Sequence, residues 1–164
     1  MSEPSFATAD LSDAHDARVS VLPLQLRDFG GRTAFHGEIS TVRAFEDNSR
    51  VREAVNEPGR GRVLFVDGFG SLARSMLGDL LAQKAVDNGW SGVVVLGAIR
   101  DTAVIATLDL GVKALGTVPR KTERKDIGER DVALDVGGIA IRPGQWLYAD
   151  TDGLLVADAE LSPA

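Results

Sequence analysis

An α/β fold is what this sequence predicts: one layered domain with mixed sheets, in which a βαβαβ core precedes C-terminal antiparallel strands. Three observations predict it. Short apolar runs at Val63–Val66, Val93–Leu96 and Val112–Val118 alternate with two helical stretches, and strands separated by helices pair in parallel. From residue 132 the chain turns into short β-rich segments divided by glycine turns, the texture of hairpins. The length of 164 residues suits a single domain, 1–164, that buries its apolar surface without staples.

Each element has a local cause. Thr8 to Ala17 reads as a short helix, with Thr8 or Asp10 as cap and Leu11 and Ala14 on one face. Phe29-Gly30-Gly31-Arg32 is a turn. Phe35 to Phe45 alternates as a strand with a break at Gly37. Glu46-Asp47-Asn48 caps a helix that runs to about Asn56 and stops at Glu57-Pro58-Gly59. Val63–Val66 is apolar on both faces, as a buried strand must be. The next helix starts at Gly78-Asp79, because Gly78 is a poor interior residue. It presents Leu77, Leu81 and Ala85, extended by Leu80, Val86 and Trp90, and ends at Asn88-Gly89. Val93–Leu96 closes at Gly97-Ala98, Asp101 to Leu108 is helical, and Val112–Val118 ends at Pro119. Val132–Val136, Ile139–Ile141, Gln145–Tyr148 and Gly153–Val156 then form an antiparallel meander.

Composition excludes several classes of function. There is no cysteine, so disulfides, thiolate nucleophiles and thiolate metal sites are out; a reducing cytoplasm is the expected location. No apolar run reaches the length of a membrane span. The polar N-terminus, Met1 to Asp10, reads as no signal peptide. A net charge of −6 argues against direct nucleic-acid binding, which needs clustered Lys and Arg. Lys121, Arg124 and Lys125 are interrupted by Glu123 and Asp126 and read as a solvated loop.

Two constellations could carry chemistry. Gly68-Phe69-Gly70-Ser71-Leu72-Ala73 imitates a dinucleotide fingerprint. The next strand, however, ends Leu96-Gly97-Ala98 without the acidic residue that would hold a ribose, so a tight glycine loop is expected. The second constellation is Asp79, twenty intervening residues, then Arg100-Asp101. Both sites are helix starts, and in a parallel unit helix starts share the carboxyl edge of the sheet. Backbone N–H groups of Gly78, Asp79, Leu80 and Leu81 would add an anion site. Asp101 can hold Mg²⁺ or Mn²⁺ while water fills other positions, and Arg100 can bind a carboxylate or a developing enolate. Asp79 can orient water or assist proton transfer. By spacing alone the trio also reads as a helix-start acid complementing the macrodipole and an ion pair with a cap. His15 and His36 have no evident partners, Ser71 lacks an assignable base, and Asp67 reads as the cap of the glycine turn.

These stretches together resemble a family. They are Phe29-Gly30-Gly31-Arg32, Phe35-His36-Gly37-Glu38-Ile39-Ser40-Thr41-Val42, Phe45-Glu46-Asp47-Asn48, Gly61-Arg62-Val63-Leu64 to Asp67-Gly68, Gly78-Asp79, Gly97-Ala98-Ile99-Arg100-Asp101, Gly128-Glu129-Arg130-Asp131, and Leu147-Tyr148-Ala149-Asp150 with Asp152-Gly153. The sequence is similar to RraA, the regulators of ribonuclease activity, and to class II 4-hydroxy-4-methyl-2-oxoglutarate aldolases. The resemblance implies a three-layer ββα fold of the swivelling type and a homotrimer. It implies metal-dependent cleavage of that keto diacid to two pyruvates, and oxaloacetate decarboxylation through the same pyruvate enolate. By resemblance, Asp101 is the metal ligand, Arg100 the substrate-binding arginine, Gly78 to Leu81 the substrate-binding turn and Asp79 the upstream acid. The alternative it implies is a regulator that binds ribonuclease E-type enzymes. Regulators of this kind can lack the aspartate after the arginine, which this sequence keeps. Longer aldolases carry a further C-terminal acid that enters a neighbour's site; Asp158 and Glu160 are candidates here by position only.

Overall fold

One long strand belongs to two sheets and so joins the layers of the molecule. The computed structural model describes residues 5–163, so the first four residues of the polar N-terminus, and Ala164, lie outside the described residues. In chain order the elements are α1 (Thr8–Ala14), a 3-10 turn (Asp16–Arg18), β1 (Val19–Val21), β2 (Arg27–Asp28), β3 (Phe35–Arg43), α2 (Ser49–Val55), β4 (Val63–Asp67) and α3 (Asp79–Asp87). They continue with β5 (Gly92–Ile99), α4 (Thr102–Ile105), β6 (Gly111–Thr117), β7 (Glu129–Arg130), β8 (Leu134–Val136), β9 (Ile139–Ile141), β10 (Trp146–Asp150) and β11 (Gly153–Ala157).

The first half of β3 pairs antiparallel with β10, with Phe35 opposite Ala149 and Glu38 opposite Trp146. Its second half pairs parallel with β4, from Ile39 opposite Val63 to Arg43 opposite Asp67. β4, β5 and β6 follow in parallel, giving the path β1-β11-β10-β3-β4-β5-β6-β2. The expected break at Gly37 does not occur. The glycine stays in the strand because a Cβ there would lie 2.2 Å from the Gly61 carbonyl oxygen, so the missing side chain permits close backbone approach.

The parallel strands are buried on both faces, which explains their unbroken apolar runs. One face, including Leu64, Val66, Val93, Val95 and Val112, packs against α2 and α3. The other, including Val63, Phe65, Val94 and Leu96, packs against Leu147, Leu154 and Val156 of the antiparallel layer and against the β8–β9 hairpin. α1 covers the outside of the antiparallel layer through Leu11, Tyr148 and Leu155. The result is the mixed α/β arrangement the sequence predicts, in the three layers the family resemblance implies, with α1 as an added cover.

Several local expectations are corrected. α1 ends at Ala14, and Thr8 caps nothing: its N–H and hydroxyl both donate to Asp150, at 2.7 and 2.6 Å. Thr8, not the exposed Ala14, shares the buried face with Leu11. Leu80 is 78% exposed, because it stands at the open first turn of α3. β5 continues through Gly97-Ala98 with a bulge between Val95 and Ala98. α4 is a single turn. The C-terminal strands are not one meander, since β8–β9 is a separate hairpin while β10 joins β3. The Ile39 N–H donates to the Gln145 carbonyl and the Gly144 N–H to the Ile39 carbonyl, so the chain after Pro143 is drawn onto the edge of β3.

Candidate functional site

At the carboxyl edge of β4 and β5 the chain does not rise directly into a helix. Residues 68–78 run across the edge first. The Gly68 and Gly70 N–H groups donate to the Leu96 carbonyl, the Met76 N–H to Ala98 and the Arg100 N–H to Leu77. Ser75 bridges to both Ala98 and Lys121, and its N–H donates to the Arg120 carbonyl at 2.7 Å. The segment is therefore an added strip between the end of β5 and the chain that follows β6. No helix opens at Ala73, and two glycine amides are already engaged, so the dinucleotide-like spelling is a loop, as expected. Asp67 accepts the Phe69 N–H at 2.9 Å and is the cap of that turn.

This strip delivers Gly78 and Asp79 opposite Arg100 and Asp101. Asp101 is left-handed, with φ 59° and ψ 38°, a conformation Asp tolerates better than most residues. It occupies the N-cap position of α4, but its side chain bonds no amide of that helix. Its Oδ2 instead accepts the Asp79 N–H at 3.0 Å and lies 3.8 Å from Arg100 Nε. Arg100 also donates from a terminal nitrogen to the Pro119 carbonyl at 3.3 Å. Gly78 fits because it has no side chain: a Cβ would stand 2.8 Å from Asp101 Oδ2 and 3.4 Å from Arg100 Nε.

Gly78, Asp79, Leu80, Leu81, Arg100 and Asp101 all line one cleft of about 910 Å³. The structure thus brings the predicted site residues together. The anion site at the helix start is smaller than expected, because the Asp79 N–H is already engaged by Asp101. That leaves the first-turn amides of Leu80 and Leu81. The Leu81 side chain is buried among the core residues, so it offers the cleft its backbone. Asp158 accepts from Gln145 at 3.0 Å and, like Glu160, does not line this cleft.

Sequence reasoning missed the opposite wall. Lys121 and Arg124 line the same cleft, and the segment carrying them is fastened to the start of α2. Thr122 Oγ1 donates to Asn48 Oδ1 at 2.8 Å, and Arg124 Nε donates to the same oxygen at 3.0 Å. Asp47 accepts the Ser49 and Lys125 N–H groups at 2.7 and 2.6 Å. Burial acts to raise the Asp47 pKa, but the Ser49 side chain and the Lys125, Ser49 and Ile127 amides together outweigh it and hold the carboxyl below the ordinary range. Lys121, Arg124 and Lys125 are exposed on an irregular segment, as a solvated loop requires, but Thr122 among them is buried and ties the segment down. The one available signal was Asp47-Asn48: two polar residues where a cap needs only one.

The profile described as "RraA-like: Aldolase/RraA" matches residues 8–156. A protein of Alkalilimnicola ehrlichii, named "Putative 4-hydroxy-4-methyl-2-oxoglutarate aldolase", is 54% identical over 98% of this chain and 99% of its own. The crystal structure of a Geobacillus kaustophilus protein described as an S-adenosylmethionine:2-dimethylmenaquinone methyltransferase superposes with a TM-score of 0.93 at 45% identity, covering 95% of this chain and 97% of that one. The RNA-processing inhibitor RraA from Thermus thermophilis gives 0.91 at 44% identity, covering 99% and 96%. Those names differ while the backbones nearly coincide. A profile spanning almost the whole chain, and a relative identical at more than half of the aligned positions, place this protein in the RraA-like family.

Proposed function

We propose that the protein is a divalent-metal-dependent lyase for short α-keto diacids. It cleaves 4-hydroxy-4-methyl-2-oxoglutarate to two pyruvates and decarboxylates oxaloacetate. The observation that carries the reading is the Asp101 carboxylate, turned by a left-handed backbone toward α3 and set beside Arg100 in the cleft. The aldolase name of close relatives supports the reaction class.

The donor set fits Mg²⁺ or Mn²⁺ in the hydrated mode. Among the described residues no group of three or more His, Asp or Glu side chains gathers as a protein cage. Asp101 offers one carboxylate, and a small hard cation is commonly held by one or two carboxylates with water and substrate oxygens. When bound, such an ion supplies Lewis-acid stabilisation of enolate charge. The chain's own groups do the rest. Arg100 pairs with the keto-acid carboxylate and with negative charge developing on the adjacent oxygen. Amides at the start of α3 receive the same end of the substrate. Asp79 takes up the proton of the C4 hydroxyl, directly or through water, as the C3–C4 bond breaks and its electron pair passes to C3. Protonation at C3 then yields the second pyruvate. In oxaloacetate the bond to the departing carboxylate breaks instead, and the same enolate forms.

Pyruvate release from both substrates, measured with added Mg²⁺ or Mn²⁺ and again with chelator, tests the proposal. Activity lost with chelator and in Asp101→Asn is the expected result. No pyruvate from either substrate, or full activity in Asp101→Asn, overturns it.

A second reading has its own support in the similarity to an RNA-processing inhibitor: the protein binds a ribonuclease E-type enzyme and restrains it. Inhibition of RNA cleavage by such an enzyme at micromolar protein tests this, and no inhibition counts against it. We also propose a homotrimer. Phe45 and Phe69, 55% and 59% exposed and packed edge to face at 6.0 Å, are apolar area suited to a second copy. Light scattering that returns a monomer mass overturns that assembly. Among the described residues no helix is long and apolar enough to cross a membrane.

A further inference from the structure

We propose that Arg124 binds the second carboxylate of the keto diacid, and that Asn48 and Thr122 are the positioning pair that hold it there. The inference rests on the lyase reading above and deepens it by naming what selects a diacid over a monoacid.

A keto diacid has two charged ends. If Arg100 and Asp101 take the keto-acid end, the other carboxylate needs a cation elsewhere in the same cleft. Arg52, Lys84, Lys121 and Arg124 are available. Among the described residues, Arg124 is the one of these four whose side chain donates to a buried partner. That partner is Asn48 Oδ1, at 3.0 Å. Asn48 is 8% exposed and Thr122, which shares the same oxygen, is 5% exposed. The backbone on the other side is fixed too, since the Lys125 N–H donates to Asp47, itself 1% exposed. Asn48 uses Arg124 only at Nε. The two terminal nitrogens have no carboxylate partner among the described residues, whereas neighbouring Arg50 is taken by Glu53 and Asp126.

A guanidinium held this way is a preformed fork. It binds a carboxylate through two parallel N–H groups and loses little rotamer freedom in doing so. Lys84 and Lys121, flexible and hydrated, would have to be ordered first. The Asn48 side chain is not spent on capping α2, because Asp47 already supplies an oxygen to the Ser49 N–H, so the buried pair that ties this segment to α2 also fixes Arg124.

The test is calorimetric binding to the full chain in Mg²⁺, with 2-oxoglutarate as diacid and 2-oxobutanoate as monoacid, and pyruvate release from 4-hydroxy-4-methyl-2-oxoglutarate measured in parallel. 2-Oxoglutarate has the substrate's five-carbon diacid chain but neither its 4-hydroxyl nor its 4-methyl, and without the hydroxyl it is not cleaved. Wild type is expected to prefer the diacid. Arg124→Gln, at an exposed position, is expected to weaken diacid binding about 10- to 100-fold, the value of a hydrogen-bonded charge, and to leave the monoacid unchanged. Arg124→Lys restores part of the preference. Asn48→Ala reduces the preference with Arg124 still present, and raises KM for the cleaved diacid more than it lowers kcat. Equal weakening of both ligands in Arg124→Gln overturns the proposal, as does no weakening, or a wild type without preference. A wild type that prefers the diacid through Arg124 yet releases no pyruvate sinks the lyase reading and leaves this site standing. A wild type that releases pyruvate, with a preference that survives Arg124→Gln, does the reverse.

Discussion

Replacing Gly78 with alanine separates the site from the fold. Gly78 has φ −121° and ψ −172°, which alanine adopts without strain. Loss of glycine freedom in the unfolded chain alone would stabilise the protein by about 0.4–1 kcal/mol. The new Cβ, however, would lie 2.8 Å from Asp101 Oδ2, where ordinary contact begins at 3.4 Å. The carboxylate oxygen must therefore retreat by about half an ångström or more, and it is the same oxygen that accepts the Asp79 N–H at 3.0 Å. The clash falls on the end of a side chain that is 36% exposed, so the fold can yield cheaply. The geometry that the proposed lyase needs cannot, since a misplacement of about 1 Å can lower a rate roughly 100-fold. The expected result is kcat/KM down by about two orders of magnitude and a higher Mg²⁺ requirement, with Tm within about 4 °C of wild type. Gly70→Ala is the control. Its φ of +73° strains any side chain, but nothing lies within 4 Å, so it is expected to lose stability and keep activity. A Gly78→Ala enzyme with wild-type kcat/KM refutes the reasoning, and so does one whose Tm collapses along with its activity.

Other outcomes follow from the same geometry. Asp101→Gly is expected to keep its Tm within about 4 °C of wild type, because relief of the left-handed backbone, about 1 kcal/mol, offsets the added freedom of the unfolded chain and the lost bond to the Asp79 N–H; a much larger fall on calorimetry would contradict the strain. Gly111→Ala is expected to destabilise by about 1–3 kcal/mol, because its Cβ would come within 2.0 Å of the buried Phe35 ring; an unchanged urea midpoint would show that Phe35 has room to move. Burial acts to raise the Asp150 pKa, but the Thr8 hydroxyl and N–H, with the Asp152 N–H and the Lys113 charge, outweigh it and depress it. That contribution to stability is full above about pH 4 and is lost as pH falls through the folded-state pKa. Urea midpoints taken downward from about pH 5 should fall less in Asp150→Asn than in wild type, and equal slopes would remove Asp150 from the acid response.

What the sequence revealed and what it hid divide along the range of the forces involved. The buried parallel strands were readable because both faces pack, leaving apolar runs that no other structure explains. α3 was readable at both ends, since Gly78 and Asn88-Gly89 are local stops. β1, β2 and β7 were not, because strands of two or three residues exist only through partners far along the chain, as when Arg27 and Asp28 pair with Ala114 and Lys113. The site divides in the same way. Asp79, Arg100 and Asp101 follow from the rule that helix starts share an edge. The Arg124 wall depends on the hydrogen bond that Arg124 donates to Asn48, 76 residues away, and no local pattern announces that. Leu80 misleads for the opposite reason: its spacing is apolar and helical, yet the first turn of α3 opens into the cleft.

The carboxyl edge also holds its residues in uncommon conformations, and this bears on how the site is kept ready. Glu46, Phe69 and Asp101 are non-glycine residues at φ 53°, 58° and 59°. Each follows the end of one parallel-sheet strand, β3, β4 or β5, by two or three residues. Strain of this kind persists only where the surroundings over-determine the backbone. For Phe69 the surroundings are the Asp67 carboxylate and the Phe45 ring. For Asp101 they are the Asp79 amide, the bare face of Gly78 and the flanking Arg100. A regular N-cap aspartate turns its carboxylate down onto its own helix. The positive φ turns this one across the edge toward α3, into the cleft. Both cores anchor β5 from its two faces, so the strain cannot relax by moving the strand. The carboxylate is thereby presented before any ligand arrives, and its placement draws on folding energy instead of binding energy.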